Sequence, residues 1–599
     1  MVVVRQIVHS DKAFLCPRLL LAIGLALLAL TASGCGLMAP SHVPRASDEW
    51  SNGKLLGTAS LNNPMALQVG EGGNSSVSVF VVWVGLEREL RFARVNERAD
   101  AVIQKPLDLR SNYPLKPQLL LDPTGRLHLI WLDRWEPNTQ LFYALLSADG
   151  EVIQEATALS PPERRASHST MALDPVGQTV ELFWSDDVFI RPGCYHVALD
   201  GSGAVVVPAE LMIPDGLLPV AQTDQQGFVH LGWRVELEGE QPRFHYAVYD
   251  PQRRVLGPQI VAGEPLAQTS LLGGPTAGAE FDGPWLGLDE RSVYLAWMLE
   301  VRERGGLSSF TFYQTFPQPA LGQREAAETF DYPPPEVTGK AVHVKGADPS
   351  LTGHPRFLDG QPAHQVLTYY TQVSGPGNME ALQIAVVDVQ GEQIAGQEIV
   401  NASGAASLQP SVAMDSRDNL HLAWIDTAGF NRYQVIYASN SPQARQALNR
   451  ITTYEVVDQV LSAVVSVFSA LFFVPIIVSW MLVPLGWLLF FAWSRGETEI
   501  STRGGHRALG LAMLLHLGVK LFFFPTLLER PVFSALLSPS PSLLLGRWIL
   551  PLLLAALSAS LAWLYLKRAR SRSIFIPYLI YGVVDSLLTL VIYVTLPMR

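Results

Sequence analysis

Three histidines stand at matched places, each three residues before a tryptophan: His128 before Trp131, His230 before Trp233 and His421 before Trp424. Imidazole binds metals and moves protons, but a metal site needs its ligands to converge. Equivalent positions in successive repeats lie round a ring, so these three read as structural. Glu181 and Tyr294 fill the same slot in other copies. A second recurring group is acidic: Asp133, Asp186, Glu236, Glu300 and Asp426 each follow a tryptophan by two or three residues. They are the candidates for a ligand-binding face. Hard carboxylate oxygens could hold a cation there, with Ca²⁺ the candidate ion, or meet a cationic or sugar ligand. The plainer reading, preferred here, is that carboxylates end strands and begin polar turns because water receives them there. A third set lies in apolar sequence near the C-terminus, where Lys520 and Asp585 carry opposite charges and His516 precedes Lys520 by one helical turn. No phosphate-cradling glycine loop, HExxH or Ser/His/Asp context occurs, so no catalytic residue and no cofactor is assigned.

The elements that carry these groups repeat. Pro117 to Asp122 runs through Gly125 into Leu127–Trp131, then a polar loop, then Leu141–Leu145 and Asp149-Gly150. The pattern returns around Trp184, Trp233, Trp297 and Trp424, and more weakly around Trp83 and Tyr369-Tyr370. Each unit reads as a short strand, an Asp/Gly turn, a strand ending in Trp, a loop and an aromatic-rich strand, with period-two alternation. A fourth strand comes from segments such as Val152–Ala158. The fold class expected is an all-β propeller of six to seven four-stranded antiparallel blades, followed by an α-helical transmembrane domain. A single blade cannot bury both its faces, and stacking round an axis buries them against each other. The tryptophans are the packing anchors.

The string Asp-x-x-Gly-x-φ-x-φ-x-Trp, with φ apolar, resembles that of sialidase-like propellers of uncharacterised bacterial surface proteins, over residues 60–440. The resemblance implies the fold. The sialidase activity would need Asp-boxes, an arginine triad gripping the sugar carboxylate and a Tyr/Glu nucleophile pair. No Asp-box is present and no triad can be assigned, so the activity is not carried over.

Both ends of the chain are apolar. Arg5, Lys12 and Arg18 precede the run Leu19–Leu30, the pattern of an export signal, which ends in Ala32-Ser33-Gly34-Cys35. That ending resembles a bacterial lipoprotein signal and makes Cys35 the expected lipidation site, although Ala32 stands where leucine is usual. Residues 1–35 are thus the signal, 36–55 a tether, 56–440 the propeller, 441–458 a juxtamembrane linker and 459–599 a four-helix transmembrane domain. Gln459 to Trp493 carries no charge, although Pro475 and Pro484 interrupt it; one long helix is the reading and a hairpin the alternative. Ala508–Leu527, Trp548–Leu566 and Ile574–Thr595 follow. The loops 494–507 and 567–572 hold three and four Lys/Arg, against two in 528–547, which places them in the cytoplasm and the propeller outside. The expected location is therefore the inner membrane, multi-pass.

Residues 459–599 are net +7 and residues 1–34 net +2; the whole chain is −11, which leaves −20 for residues 35–458. So acidic a domain repels phosphate backbones and excludes nucleic acid as a partner. It also disfavours an anionic ligand unless a local basic pocket exists. Cys16 and Cys35 lie in the signal, so Cys194 is alone, and neither disulfides nor thiolate metal sites hold the fold. The expected function is a membrane-anchored, extracytoplasmic ligand- or protein-binding and sensing module without catalysis. Its expected partners are membrane lipid, another membrane protein or a surface glycan. The alternatives are a sialidase-like glycoside hydrolase and an accessory subunit of a membrane transporter. The Lys520–Asp585 pair reads first as a packing lock and second as a proton or ion relay.

Overall fold

The computed structural model describes residues 42–595 except 61–62, 72–76, 136–137, 177, 187–191, 238–240, 267–278, 304–305, 322–329, 331, 348–350, 375–379, 428–432, 451–473, 529–548 and 569–572. The signal, Cys35 and the start of the 459–493 segment lie outside the described residues. The chain forms two compact units, a β unit and a helical unit that starts at Arg450.

The β unit is a seven-bladed propeller. Seven antiparallel sheets occur, and their innermost strands are Ala66–Glu71, Pro114–Leu121, Ala166–Asp174, Gly216–Thr223, Glu280–Leu288, Thr352–Phe357 and Ser407–Met414, numbered here as blades 1 to 7. Each inner strand neighbours the next, and the last neighbours the first, so the ring is closed. Trp83, Trp131, Trp184, Trp233 and Trp297 are at most 1 % exposed and sit in the clusters that join adjacent blades, and Trp424 of blade 7 is likewise buried. In blade 6 the weaker copy supplies Tyr369 and Tyr370, both buried.

Blade 7 is completed from the other end of the chain. Gly53–Ala59 pairs with Tyr433–Ser439 as its outer strand, and His42–Val43 adds a further edge. Part of the segment expected as a tether is therefore sheet. The reason is geometric: a closed ring gains most when its last sheet is zipped by a distant strand. Blade 4 is irregular outside, with Val255–Leu256 and Ile260–Gly263 both pairing to Arg243–Asp250.

The turns after the inner strands follow one recipe. Asp122 Oδ1 accepts from Thr124 N–H and Oγ1–H and from Arg126 N–H, and Gly125 takes φ +82°. Nothing crowds the Gly125 α-carbon, so glycine is needed there for its backbone angle rather than for space. Asp224 and Asp415 repeat the cap.

The short helix α1 (Pro442–Leu448) ends the propeller unit; in the helical unit α2 (Val474–Arg495), α3 (Arg503–Leu528), α4 (Leu550–Arg568) and α5 (Phe575–Thr595) pack together. Among the described residues one helix, Leu550–Lys567, is long and apolar enough to cross a membrane, and Phe575–Thr589 is a shorter apolar helix.

Candidate functional site

The inner strands are bent at one level by a shared irregularity. Register slips occur at Leu115/Gln118, Ala166/His168, Leu217/Val220, Asp282/Trp285, Gly353/Arg356 and Leu408/Ser411, in blades 2 to 7. At four of these bulges a non-glycine residue takes a left-handed backbone, with φ +49° at Lys116, +52° at Leu218, +50° at His354 and +52° at Gln409. Each precedes a proline, and Gly283 at φ +122° precedes Pro284 in blade 5. Proline cannot donate to the ladder, so in a strand it marks an edge or a bulge, and a bulge re-aims the side chain beside it. Lys116, His168, His354 and Gln409 all line one cavity of about 730 Å³ along the propeller axis.

The start of the inner strands forms the mouth of this cavity. Lys116 Nζ lies 2.8 Å from His168 Nε2 and donates to the Ser167 carbonyl at 3.3 Å. Burial, with the positive charges of Lys116, Arg356 and Arg234 next in order, pushes His168 down to about 3. Burial and the charge of Arg356 push His354 down to about 4, against a small opposing effect of Asp282. Both imidazoles are neutral at pH 7, so the Lys116–His168 bond runs from ammonium to imidazole. Arg356 lines the same cavity with its guanidinium 6.0 Å from the Trp285 ring. Among the described residues it has no hydrogen-bond or salt-bridge partner, although protein encloses it and that burial lowers its pKa, opposed by the charges of Asp359 and Asp282.

The other end of the cavity is spanned by side chains. Asp359 of blade 6 accepts from Gln68 of blade 1 and Gln222 of blade 4, each at 2.9 Å. Neither is a neighbouring blade, so the link spans the axis. Gly360 N–H donates to Gln222 Oε1 and Gln225 N–H to Gln361 Oε1. Asp359 thus bridges the axis at the end opposite the strand starts. Asp359 is exposed, yet the protein around its carboxyl raises its pKa, with the two amide bonds and Arg356 opposing.

None of the five acidic candidates lines the pocket. Asp133 is fully buried and accepts from the Asn112 and Tyr113 N–H groups, Asp186 is buried against Arg164, and Asp426 accepts from Ser403 and Ser407. Glu236 is exposed and pairs with Arg234. Glu300 is half-buried, and burial with the charges of Glu280 and Asp282 raises it. Among the described residues no group of three His, Cys, Asp or Glu comes together as metal ligands. Asp133, Asp186 and Asp426 are held where strand ends turn back to cap their own blade.

The three histidines do form a repeated structure. His128, His230 and His421 each bond through Nδ1 to a tyrosine hydroxyl, Tyr143 at 2.9 Å, Tyr246 at 2.6 Å and Tyr437 at 2.7 Å. Each Nε2 faces the turn aspartate, Asp122, Asp224 or Asp415, at 3.3 to 3.5 Å. Blade 3 permutes the chemistry, with Glu181 Oε2 at 2.6 Å from His196 Nε2. Blade 5 uses Tyr294, which donates to Asp289 at 2.5 Å.

Lys116, His168, His354, Arg356 and Asp359 were missed by sequence reasoning. The available signal was the proline five residues before the turn aspartate in Pro117, Pro219, Pro284 and Pro410, which marks where each inner strand kinks.

In the helical unit the charged residues are brought together. Lys520 Nζ donates to Asp585 Oδ1 at 3.0 Å and Oδ2 at 2.9 Å, and His516 Nε2 lies 3.3 Å from Asp585 Oδ2. All three are fully buried, whereas Leu482, Phe490, Trp493, Leu514, Phe522, Leu553 and Leu587 are exposed.

No family model and no curated protein matches the chain. Similar solved structures include a polysaccharide lyase, 9 % identical over 67 % of this chain and 99 % of its own, with a TM-score of 0.39. An ulvan lyase is 10 % identical over 64 % and 94 %, with a TM-score of 0.41. A Trypanosoma rangeli sialidase bound to an inhibitor is 8 % identical over 65 % and 60 %, with a TM-score of 0.32. The fold assignment stands on the seven sheets themselves.

Proposed function

We propose that this protein is a membrane-anchored, extracytoplasmic binding module whose axial pocket takes a saccharide bearing one acidic group. The observation that carries the reading is Arg356, a half-buried guanidinium that lines the pocket and lacks a hydrogen-bond or ion-pair partner among the described residues. A half-buried guanidinium with no protein partner leaves its paired N–H donors free for an arriving carboxylate, which accepts two parallel bonds from it. Lys116 is the second cation. Asp282 and Asp359 balance the two, so a polyanion fits poorly and one acidic group fits well. Gln68, Gln118, Gln222 and Gln409 supply amides, which suit hydroxyls, and Trp285 offers a ring face. The volume lies in the range of small-ligand sites.

Binding rather than turnover is favoured by the chemistry. General-base work near neutral pH wants a pKa near the working pH, and His168 and His354 lie near 3 and 4. A sialidase-type pocket would need three arginines, and Arg356 alone of the arginines is among the lining residues. The membrane part of the reading is supported by the inverted helical unit, apolar outside and charged inside, and by the signal-like sequence ending at Cys35. Membrane lipid and a second membrane protein are the partners proposed for it.

Calorimetric titration of the full chain in detergent tests this. Oligosaccharides ending in a uronate or sialic acid should bind, and their neutral counterparts should bind at least tenfold more weakly. Arg356→Gln should cost roughly tenfold or more, as loss of a charged hydrogen-bonded pair does. Equal affinity for acidic and neutral sugars, or an unchanged R356Q, would overturn the proposal.

A further inference from the structure

The buried cluster of the helical unit has a proton-accounting property that the pocket does not touch. Tyr578 of α5 faces two acceptors: its Oη lies 3.4 Å from the Met481 carbonyl of α2 and 3.3 Å from His516 Nδ1 of α3. A phenol has one proton, so it satisfies only one of them while the imidazole is neutral. His516 Nε2 is held by Asp585, which fixes its proton on that side. Nδ1 of the neutral ring is therefore an acceptor competing with a carbonyl for the same hydrogen.

We propose that His516, Tyr578, Asp585 and Lys520 form a one-proton binding site whose occupancy decides whether Tyr578 bonds to α3 or to α2. A proton taken from water onto Nδ1 turns that atom into a donor to Tyr578 Oη. The tyrosine hydrogen then turns wholly to the Met481 carbonyl. The chain of bonds becomes complete, from Asp585 through His516 and Tyr578 to α2, and no polar atom in it loses a partner. The cost is one added positive charge, and Asp585 lies between that charge and Lys520 to offset it. Facing His516 are Asp585, Tyr578 and Tyr581 from α5, the last with its ring 5.3 Å away, and Lys520 from its own helix. Along their lengths α2 has no titratable side chain before Arg495, and α4 none before Tyr565 near its C-terminal end. The site therefore takes its input from α3 and α5 and passes it to α2.

The test is nitrogen-15 NMR of the histidine rings, with the carbonyl-carbon signal of Met481, in the full chain in lipid nanodiscs. His516→Gln and Met481→Leu identify the two signals. On acidification, one ring should pass from neutral to doubly protonated, and the Met481 carbonyl should shift with the same midpoint. Tyr578→Phe removes the acceptor and should weaken proton affinity roughly tenfold, moving the ring's midpoint about one pH unit to acid. The wild-type carbonyl needs no variant, so the test holds even where Tyr578→Phe fails to accumulate. A ring that stays in one form down to the pH of unfolding would overturn the proposal. So would a Met481 signal that ignores the ring's titration, or a Tyr578→Phe midpoint that does not move.

Discussion

Two imidazoles at the pocket mouth are held neutral by burial and by the cations beside them. Because they stay neutral well below pH 6, they lend no positive charge to a ligand. The histidines alone leave affinity for an acidic saccharide level between about pH 8 and 5, and a tenfold rise over that span that persists in Asp359→Asn would show that an imidazolium takes part. The same histidines affect stability. Their folded values lie below the ordinary 6.5, so their contribution is full above that value and fades as pH falls toward about 4 and 3. Asp426 acts in the opposite sense. Burial raises it to about 6, against the Ser407, Ser403 and Thr427 hydrogen bonds, so its charge costs stability above that pH and nothing below the ordinary 3.8. Asp426→Asn should stabilise the neutral-pH protein by roughly 2 kcal/mol, a gain that disappears on acidification, as denaturant melts at two pH values would show. At this scale the sequence showed the histidines three before each tryptophan, because repeats keep register. It did not show their tyrosine partners, which sit diagonally across the next strand. It did not show Arg356 either, since only the bulge beside it turns that segment to the axis.

The blade is the unit that the sequence displays best. Alternation of period two and a tryptophan within the second strand recur because each sheet must present apolar faces to both neighbours. Trp131 is fully buried, and Trp131→Ala should cost about 3–5 kcal/mol in chemical denaturation. The Asp–His–Tyr chain within a blade is a smaller contributor. Tyr246→Phe, which leaves His230 Nδ1 without its hydroxyl, should cost about 1–2 kcal/mol, and a cost within error would mean that water replaces the phenol. Blade 6 was hardest to see because tyrosines replace its tryptophan. Irregular outer strands hid the end of blade 4, since an edge strand bears little packing and tolerates a break. The helices were legible in type from their apolar length, and their bounds shifted by a few residues, as with Arg503–Leu528 where Ala508–Leu527 was expected.

Over the whole molecule, the closure of the ring is what the sequence concealed. Gly53–Ala59 must find Tyr433–Ser439 across nearly the full propeller, and no local pattern announces so distant a pairing. Contacts beyond the strand fasten the same place: Asn52 N–H donates to Asn449 Oδ1, Asn52 Nδ2 to the Leu448 carbonyl, and Arg445 pairs with Glu49. The chain thus enters and leaves the propeller side by side, on the face opposite the pocket mouth. A chain beginning at residue 60 should leave blade 7 with an open edge and bare Leu56 contacts, and should aggregate on size-exclusion chromatography where the intact chain does not. Asp359 bridges the far end of the axis, and the proposed binding rests on Arg356 in the cavity beside it. The most direct check is an electron-density map of the full chain with an acid-bearing oligosaccharide bound. The acidic group should lie between Arg356 and Lys116 with the sugar inside the axial pocket; density on the outer blades, with the pocket holding only water, would contradict it.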